Sequence, residues 1–442
     1  MWVRAVRARG IGLLRPLTNR DFRKLWAAMT VSMIGDGIYL VAIAWQVFQL
    51  SNSATALSTV FIAVTLPNLV FPLLGGVLTD RLDRRRVLIG ADLVRMVAVA
   101  ALGYLSMAET LELWHVVMVG LVFGIGDSFF LPAFGAIIPD LVPREGLVEA
   151  NSLNQFMRPL AYRMIGPVLG GWTVATIGPA GAFYFDAFTF LVSAVIVAAI
   201  SGRRTPMAQG ERTSIASDMK EGFAYVRSTP WLWASFLATA IGLLAYFGPF
   251  EVLLPYIIRN EIMGGATGFG AVMFAGGVGA IIAAALISQL GMTPRPLLAT
   301  YLCWGLGTGV MATYALATEV WHAMVTTCVM LALYTAGVIF WATIMQRLVP
   351  SNLLGRVSSF DFMVSSGLLP LSFALAGPLG DAIGATPTLI GAGLLGCAGV
   401  LIFLLVPGVR AVDHDPRVHD AVPVPEPLAP EERQAATASR ER

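Results

Sequence analysis

Residues 389–406 read LIGAGLLGCAGVLIFLLV, a run with no charge and no polar/apolar alternation. Such a segment cannot stay in water, and in a bilayer a helix satisfies its own backbone hydrogen bonds. About 20 mainly apolar residues cross the hydrocarbon core. The sequence offers twelve such stretches, centred near residues 37, 67, 97, 126, 166, 191, 244, 279, 307, 333, 367 and 396. Composition agrees: 57% of the residues are hydrophobic and 13% charged, against about 45–50% and about 25% in soluble domains. The charge-free spans argue against the ten-residue alternation of an outer-membrane barrel. The expected fold class is an all-α membrane protein with twelve transmembrane helices.

Orientation follows from Lys and Arg, which are retained on the cytoplasmic side. The first 26 residues are rich in Arg and lack the apolar core of a secretory signal, so the amino terminus is expected inside. With twelve spans, 25 of the 29 Lys and Arg then fall on cytoplasmic segments and one, Arg259, on an outer loop; Arg95, Arg158 and Arg163 lie within spans. Both termini are expected in the cytoplasm of a bacterial inner membrane protein.

The expected organisation is a basic segment over 1–24, a six-helix bundle over 25–200, a cytoplasmic linker over 201–230, a second bundle over 231–406 and a disordered tail over 407–442. The Leu-Val-Pro triplets at 141–143 and 348–350 are 207 residues apart. The Gly-Pro pairs at 166–167 and 377–378 are 211 apart, and the similar offsets argue for a parallel duplication.

Cys303, Cys328 and Cys397 fall inside spans and read as apolar fillers, and two of the four His lie in the tail. No metal or other cofactor is expected. His115 and His322 have no evident Ser or Cys partner, which argues against a membrane-embedded enzyme. A net charge of +2 with dispersed basic residues gives no footprint for nucleic acid.

Between spans 2 and 3 stands GGVLTDRLDRRRVL (75–88). It resembles the cytoplasmic loop signature of the major facilitator superfamily at Gly76, Leu78, Asp80, Arg81, Arg84 and Leu88, with Arg85 in place of Lys. Thr79 and Asp83 depart from the pattern, Asp83 standing where the family has glycine. The resemblance implies a latch between halves, formed by Asp80, Arg81 and Arg84. Gly166-Pro167-x-x-Gly170-Gly171 is similar to the signature of drug:proton antiporters. It also suits close packing of a bendable helix through small residues. With RDFRKLW before span 1, IPDLVP at 138–143 and FYFDAFTFLVSA at 183–194, these motifs resemble the twelve-helix branch that contains macrolide and multidrug exporters and the enterobactin exporter. The resemblance implies two six-helix halves, alternating access and export driven by the proton gradient without a cofactor.

Residues 29–48, MTVSMIGDGIYLVAIAWQVF, carry one charge, Asp36. At about 1.5 Å per residue, Asp36, Arg95, Asp127 and Arg163 all lie roughly 12–17 Å deep. A charge at that depth costs at least about 2.5–3.5 kcal/mol unless water or a partner meets it. Asp36 is expected to couple protons, to bind a substrate cation or to form a static pair with Arg163. Asp127 and Arg163 complete the candidate proton-coupling and substrate set. Because the resemblance puts span 3 at the periphery, Arg95 is expected to snorkel or to pair with Asp92. Asp186 and Glu251 are expected at the outer interface, and Asp361 near a cytoplasmic gate. Tyr246, Phe250, Tyr334, Trp341 and Phe362 form a candidate aromatic cavity wall, suited to bulky lipophilic or cationic solutes.

The expected function is proton-coupled export of drug-like or amphiphilic small molecules by a monomer in the lipid bilayer. The alternatives are export of an endogenous solute such as a siderophore, movement of lipids, or a non-transporting receptor or scaffold.

Overall fold

The computed structural model describes residues 14–71, 82–143, 146–201 and 215–419, and every regular element among them is helical. The first half of the chain forms α1 (Arg20–Leu50), α2 (Ala54–Val70), α3 (Arg84–Met107), α4 (Leu113–Leu141), α5 (Leu147–Arg158) and α6 (Gly166–Ala198). A π-helical turn over Pro159–Ile165 joins α5 to α6. The second half forms α7 (Ile215–Ser228), α8 (Pro230–Gly248), a second π-helical turn over Pro249–Leu253, α9 (Leu254–Asn260), α10 (Gly265–Leu290), α11 (Pro296–Val310), α12 (Val320–Leu348), α13 (Ser351–Gly367), α14 (Leu369–Ile383) and α15 (Ala385–Leu401).

Nine helical stretches among the described residues are long and apolar enough to cross a membrane. One of them, Glu149–Ala198, runs 50 residues, far beyond the length of one crossing. It breaks at Gly178, whose φ of 77° suits glycine and strains other residues.

Polar side chains fix the helix starts. Asn19 accepts hydrogen bonds from the amides of Asp21 and Phe22 at the head of α1, and Ser53 accepts one from Ala56 at the head of α2. Asp83, the residue found where the family has glycine, caps α3 by accepting from the Arg85 amide. Side-chain caps of this kind contribute about 1 kcal/mol each.

The duplication extends to whole helices. Helices α4 and α12 both run 29 residues, from Glu112 and Glu319 at the N-caps to Val142 and Val349 at the C-caps. Each opens with Glu-x-Trp-His, and in each the Trp ring lies tilted against the neighbouring His with centroids 3.7 Å apart. The offset is again 207, so Asp127 and Tyr334 occupy equivalent positions, as do Phe134 and Trp341.

Helix α1 lies along α6, α6 meets α10, and α2 meets α14. The two halves press together at the end of the bundle that carries the turns at 51–53, 261–264 and 384. There Asp381 accepts from the Ser53 hydroxyl at 2.6 Å and from the Ala54 and Thr55 amides at 2.9 Å each. A Cβ on Gly377 would lie 2.3 Å from the Ser58 hydroxyl. Toward the opposite end, α2 and α13 expose Leu69, Val70, Phe362 and Met363.

Beyond residue 407 the chain stays packed at least to Val418. Val409, Val412 and Val418 are buried, Asp413 accepts from the Leu297 and Leu298 amides at 2.7 and 3.1 Å, and Arg347 donates to the Val418 carbonyl. The rest of the tail expected over 407–442, from 420 on, lies outside the described residues.

Candidate functional site

A cavity of about 310 Å³ lies between the halves, with Asp36, Arg95, Asp127, Arg158 and Arg163 from the first half facing Phe247, Glu251, Leu369 and Phe373 from the second. Its charged wall is built by glycine. Asp36 follows Gly35, where a Cβ would sit 2.0 Å from the Thr189 hydroxyl and 2.4 Å from Asp186 Oδ1, so α1 approaches α6 closely at that level. Asp127 follows Gly126, where a Cβ would sit 2.7 Å from Arg95 Cγ. The second glycine lets the Arg95 side chain pass between α3 and α4.

Arg95 is the centre of the charge network. Its guanidinium donates to Asp92 at 2.5 Å on its own helix and to Asp127 at 2.8 Å on α4. The rings of Phe130 and Phe190 flank it, each centroid 4.4 Å away. Ser193 donates to the other oxygen of Asp92 at 2.7 Å. The Arg95 and Asp92 side chains are 1% and 0% exposed, whereas Asp127 keeps 28%, so the network opens to the cavity at its Asp127 end and is closed at Asp92. Arg95 pairs with Asp92 as expected for an arginine on span 3. It is nonetheless fully buried rather than snorkelling, and it lies within electrostatic reach of Asp36.

Asp36 lines the cavity without an ion pair among the described residues, and its buried Oδ1 has no hydrogen-bond partner there. Arg163, expected beside it, reaches across to Glu251 at 2.8 Å instead. That pair joins the two π-helical turns, one on each half, and both turns begin with proline, Pro159 and Pro249. π-Helical turns often mark functional positions because they redirect a side chain from the regular helical register. Glu251 therefore faces the cavity rather than the outer interface. Asp186 is likewise buried, 0% exposed, against Gly35 and Thr189.

The glycines of the antiporter-like motif sit at two contacts. Gly166 and Gly170 face α1, where added Cβ atoms would meet Gly37 Cα at 2.6 Å and Ile38 Cα at 2.9 Å. A Cβ on Gly171 would lie 2.5 Å from the Ala266 carbonyl at the head of α10, and one on Gly270 would lie 2.5 Å from the Pro167 carbonyl. This segment is thus wedged between a helix of its own half and a helix of the other.

Of the loop residues, Gly76, Asp80 and Arg81 lie outside the described residues. Arg84 donates to Asp140 and to the Ala136 carbonyl, both at 2.7 Å, and Arg85 donates to the Ile200 carbonyl. These partners of both arginines lie within the first half.

Tyr246 stacks on Tyr334 and Phe250, with centroids 5.2 and 5.4 Å apart. Tyr246, Tyr334 and Trp341 line a separate cavity of about 210 Å³ inside the second half. Phe250 packs behind it, 1% exposed, and Phe362 stands outside at 63% exposure.

Known proteins place this architecture. The family model described as transmembrane secretion effector matches residues 11–435. The multidrug efflux pump Tap of Mycolicibacterium fortuitum is 29% identical over 402 residues, 88% of this chain and 96% of that protein. Macrolide efflux protein A of Streptococcus pyogenes is 25% identical over 401 residues, 89% and 97% of the respective chains. A crystal structure of a bacterial homologue of the iron transporter ferroportin superposes with a TM-score of 0.68 at 17% identity, over 87% of this chain and 98% of that one. These relatives are transporters, not enzymes, and the long apolar helices agree with them. The chain belongs to the transmembrane secretion effector family of the major facilitator superfamily, as a multi-pass transporter of the bacterial inner membrane.

Proposed function

We propose that this protein is a proton-coupled exporter of drug-like or other amphiphilic small molecules, working by alternating access of two six-helix halves with both termini in the cytoplasm. Dividing Glu149–Ala198 at Gly178 and adding Ala54–Val70 and the Pro296–Leu316 helix to the other apolar stretches brings the count of crossings to twelve. Boundaries near 25–200 and 231–406 then separate the halves. With that orientation the tight seam around Asp381 lies outside, and the state described is inward-facing.

The observation that carries the reading is Asp36, an unpaired carboxylate in a cavity walled by both halves. Around Asp36, the carboxylates Asp92, Asp127 and Asp186 and the guanidiniums of Arg95 and Arg158 lie within reach. Four negative groups and two positive leave an excess of negative charge that a proton or a cationic solute can fill, but not both at full strength. That competition is the physical basis for exchanging one for the other. In this scheme Asp36 is the exchanging acid, Asp127 is tied to Arg95, and Arg163–Glu251 spans the halves and breaks or forms as they rock. Gly166, Pro167, Gly170 and Gly171 supply the seam along which the helices slide. Gly76, Asp80 and Arg81, with Arg84 and Arg85 at the head of α3, close the cytoplasmic side in the opposite state.

The test is uptake of a fluorescent cationic dye into inside-out vesicles with an imposed proton gradient. Asp36→Asn should reduce gradient-driven uptake at least tenfold at equal expression. Undiminished uptake by that variant eliminates Asp36 as the coupling group.

A further inference from the structure

The second half carries a cavity that proton coupling does not use. Five helices enclose it: α8 with Thr239 and Tyr246, α11 with Trp304, α12 with Tyr334 and Trp341, α13 with Asp361, and α15 with Val400. Four aromatic rings and one carboxylate are its chief features. Asp361 Oδ1 accepts from Trp341 Nε1 at 3.1 Å, and among the described residues no cation pairs with Asp361. The nearby arginine, Arg163, lies within reach of Tyr246 and Tyr334 but is held by Glu251 in the neighbouring cavity. Among the described residues the Thr239 hydroxyl and the Trp304 Nε1 lack hydrogen-bond partners.

The duplication sharpens the contrast. At the position where α4 places Asp127, which holds Arg95, α12 places Tyr334, whose ring lies parallel to that of Tyr246. The first half ties Asp127 and Asp92 to a built-in guanidinium. The second half has a carboxylate and a cage of rings, and among the described residues no side-chain cation completes it. A carboxylate beside apolar surface in a membrane is costly when unmatched, and ring faces attract a desolvated cation.

We propose that this cavity is a binding site for an organic ammonium head group, with Asp361 as the counter-ion and Tyr246, Trp304, Tyr334 and Trp341 as the cage. At about 210 Å³ it falls below the roughly 300–1,000 Å³ of sites that engulf a drug-sized ligand, so it takes the charged head of a solute rather than the whole. Consecutive residues of α8 separate the two cavities, since Tyr246 lines this one and Phe247 the one between the halves. A solute with its head here therefore lies one aromatic layer from Glu251 and Arg163. The site goes beyond the coupling scheme and does not rest on it.

Direct binding to the purified full chain in a maltoside micelle, without any gradient, tests the site. The probes are choline and its neutral isostere 3,3-dimethylbutan-1-ol, read by isothermal titration and by quenching of tryptophan emission. Choline should bind at least tenfold more tightly than the alcohol, and Asp361→Asn should remove that preference while leaving the alcohol's affinity unchanged. Tyr334→Leu should weaken choline more than the alcohol. That comparison, with the two probes on the unaltered chain, carries the test should Asp361→Asn fail to fold. The quenching should shrink in Trp341→Phe. Equal affinity for the two probes, or choline binding by a folded Asp361→Asn as tight as in the unaltered chain, overturns the proposal. Neither result bears on Asp36, whose role is read only in the gradient assay.

Discussion

Replacing Arg95 by Met tests whether the network of the first half is a structural ion cluster with a solvent-facing end. The change keeps an apolar stem among Phe130 and Phe190 but removes two charge-assisted bonds. Its consequences for the two carboxylates differ. Asp127, 28% exposed, can turn to cavity water. Asp92, 0% exposed, is left, among the described residues, with the Ser193 hydroxyl. Stripping one partner from a buried pair costs about 3–5 kcal/mol, whereas neutralising both is often close to neutral. At roughly 2 °C per kcal/mol for a large unit, Arg95→Met should lower the thermal midpoint by at least about 6 °C. The combination Arg95→Met with Asp92→Asn should recover most of that loss, and Arg95→Met with Asp127→Asn should recover little. Differential scanning fluorimetry in detergent at one heating rate reads all three. A repair by Asp127→Asn equal to that by Asp92→Asn contradicts the assignment of Asp92 as the stranded charge, and an undestabilised Arg95→Met contradicts the network itself.

Three further outcomes follow from the geometry. Gly166→Val places a branched side chain where even a Cβ meets Gly37 Cα at 2.6 Å and the Ile34 carbonyl at 2.8 Å. Both obstacles are backbone, so α1 and α6 must separate, at a cost of about 1–3 kcal/mol or more, seen as a lower midpoint and slower transport. Asp413→Ala leaves two amides at the head of α11 without their carboxylate acceptor; a loss of about 1–2 kcal/mol is expected, with faster proteolysis after residue 407. Glu251→Gln breaks the pair between halves and should change how fast a cysteine probe at Leu69 is labelled, while the swap Arg163→Glu with Glu251→Arg should restore the original rate.

The sequence made the transmembrane character and Asp36 legible for one reason: a charge stands out against an apolar run, and glycines beside it announce a close helix contact. The same reasoning foresaw the pair of Arg95 with Asp92 but not its reach to Asp127. Depth along a helix can be counted, but the direction a side chain takes depends on what the neighbouring helix leaves open, and here Gly126 opens the way from α3. The Gly-Asp pair at 126–127 repeats the one at 35–36 and was the available signal. Arg163 and Glu251 were out of register for a different reason, because π-helical turns beginning at Pro159 and Pro249 rotate the positions that regular counting assigns. The matched Glu-x-Trp-His starts of α4 and α12 show the duplication more sharply than the Gly-Pro pairs do. Of the expected aromatic wall, Tyr246, Tyr334 and Trp341 converge on one cavity. Phe250 and Phe362 do not line it, since aromatic content alone does not distinguish a lining ring from a packing or outward-facing one.

The exchange of a proton for cargo at Asp36 is tested most directly by the protons themselves. A cationic substrate added to the purified protein in weakly buffered solution near neutral pH should release protons on binding, detected by a pH dye. The release should vanish in Asp36→Asn while Asp127→Asn retains part of it. Release from Asp36→Asn equal to that of the unaltered protein, with substrate still bound, would contradict the exchange and move the coupling group elsewhere.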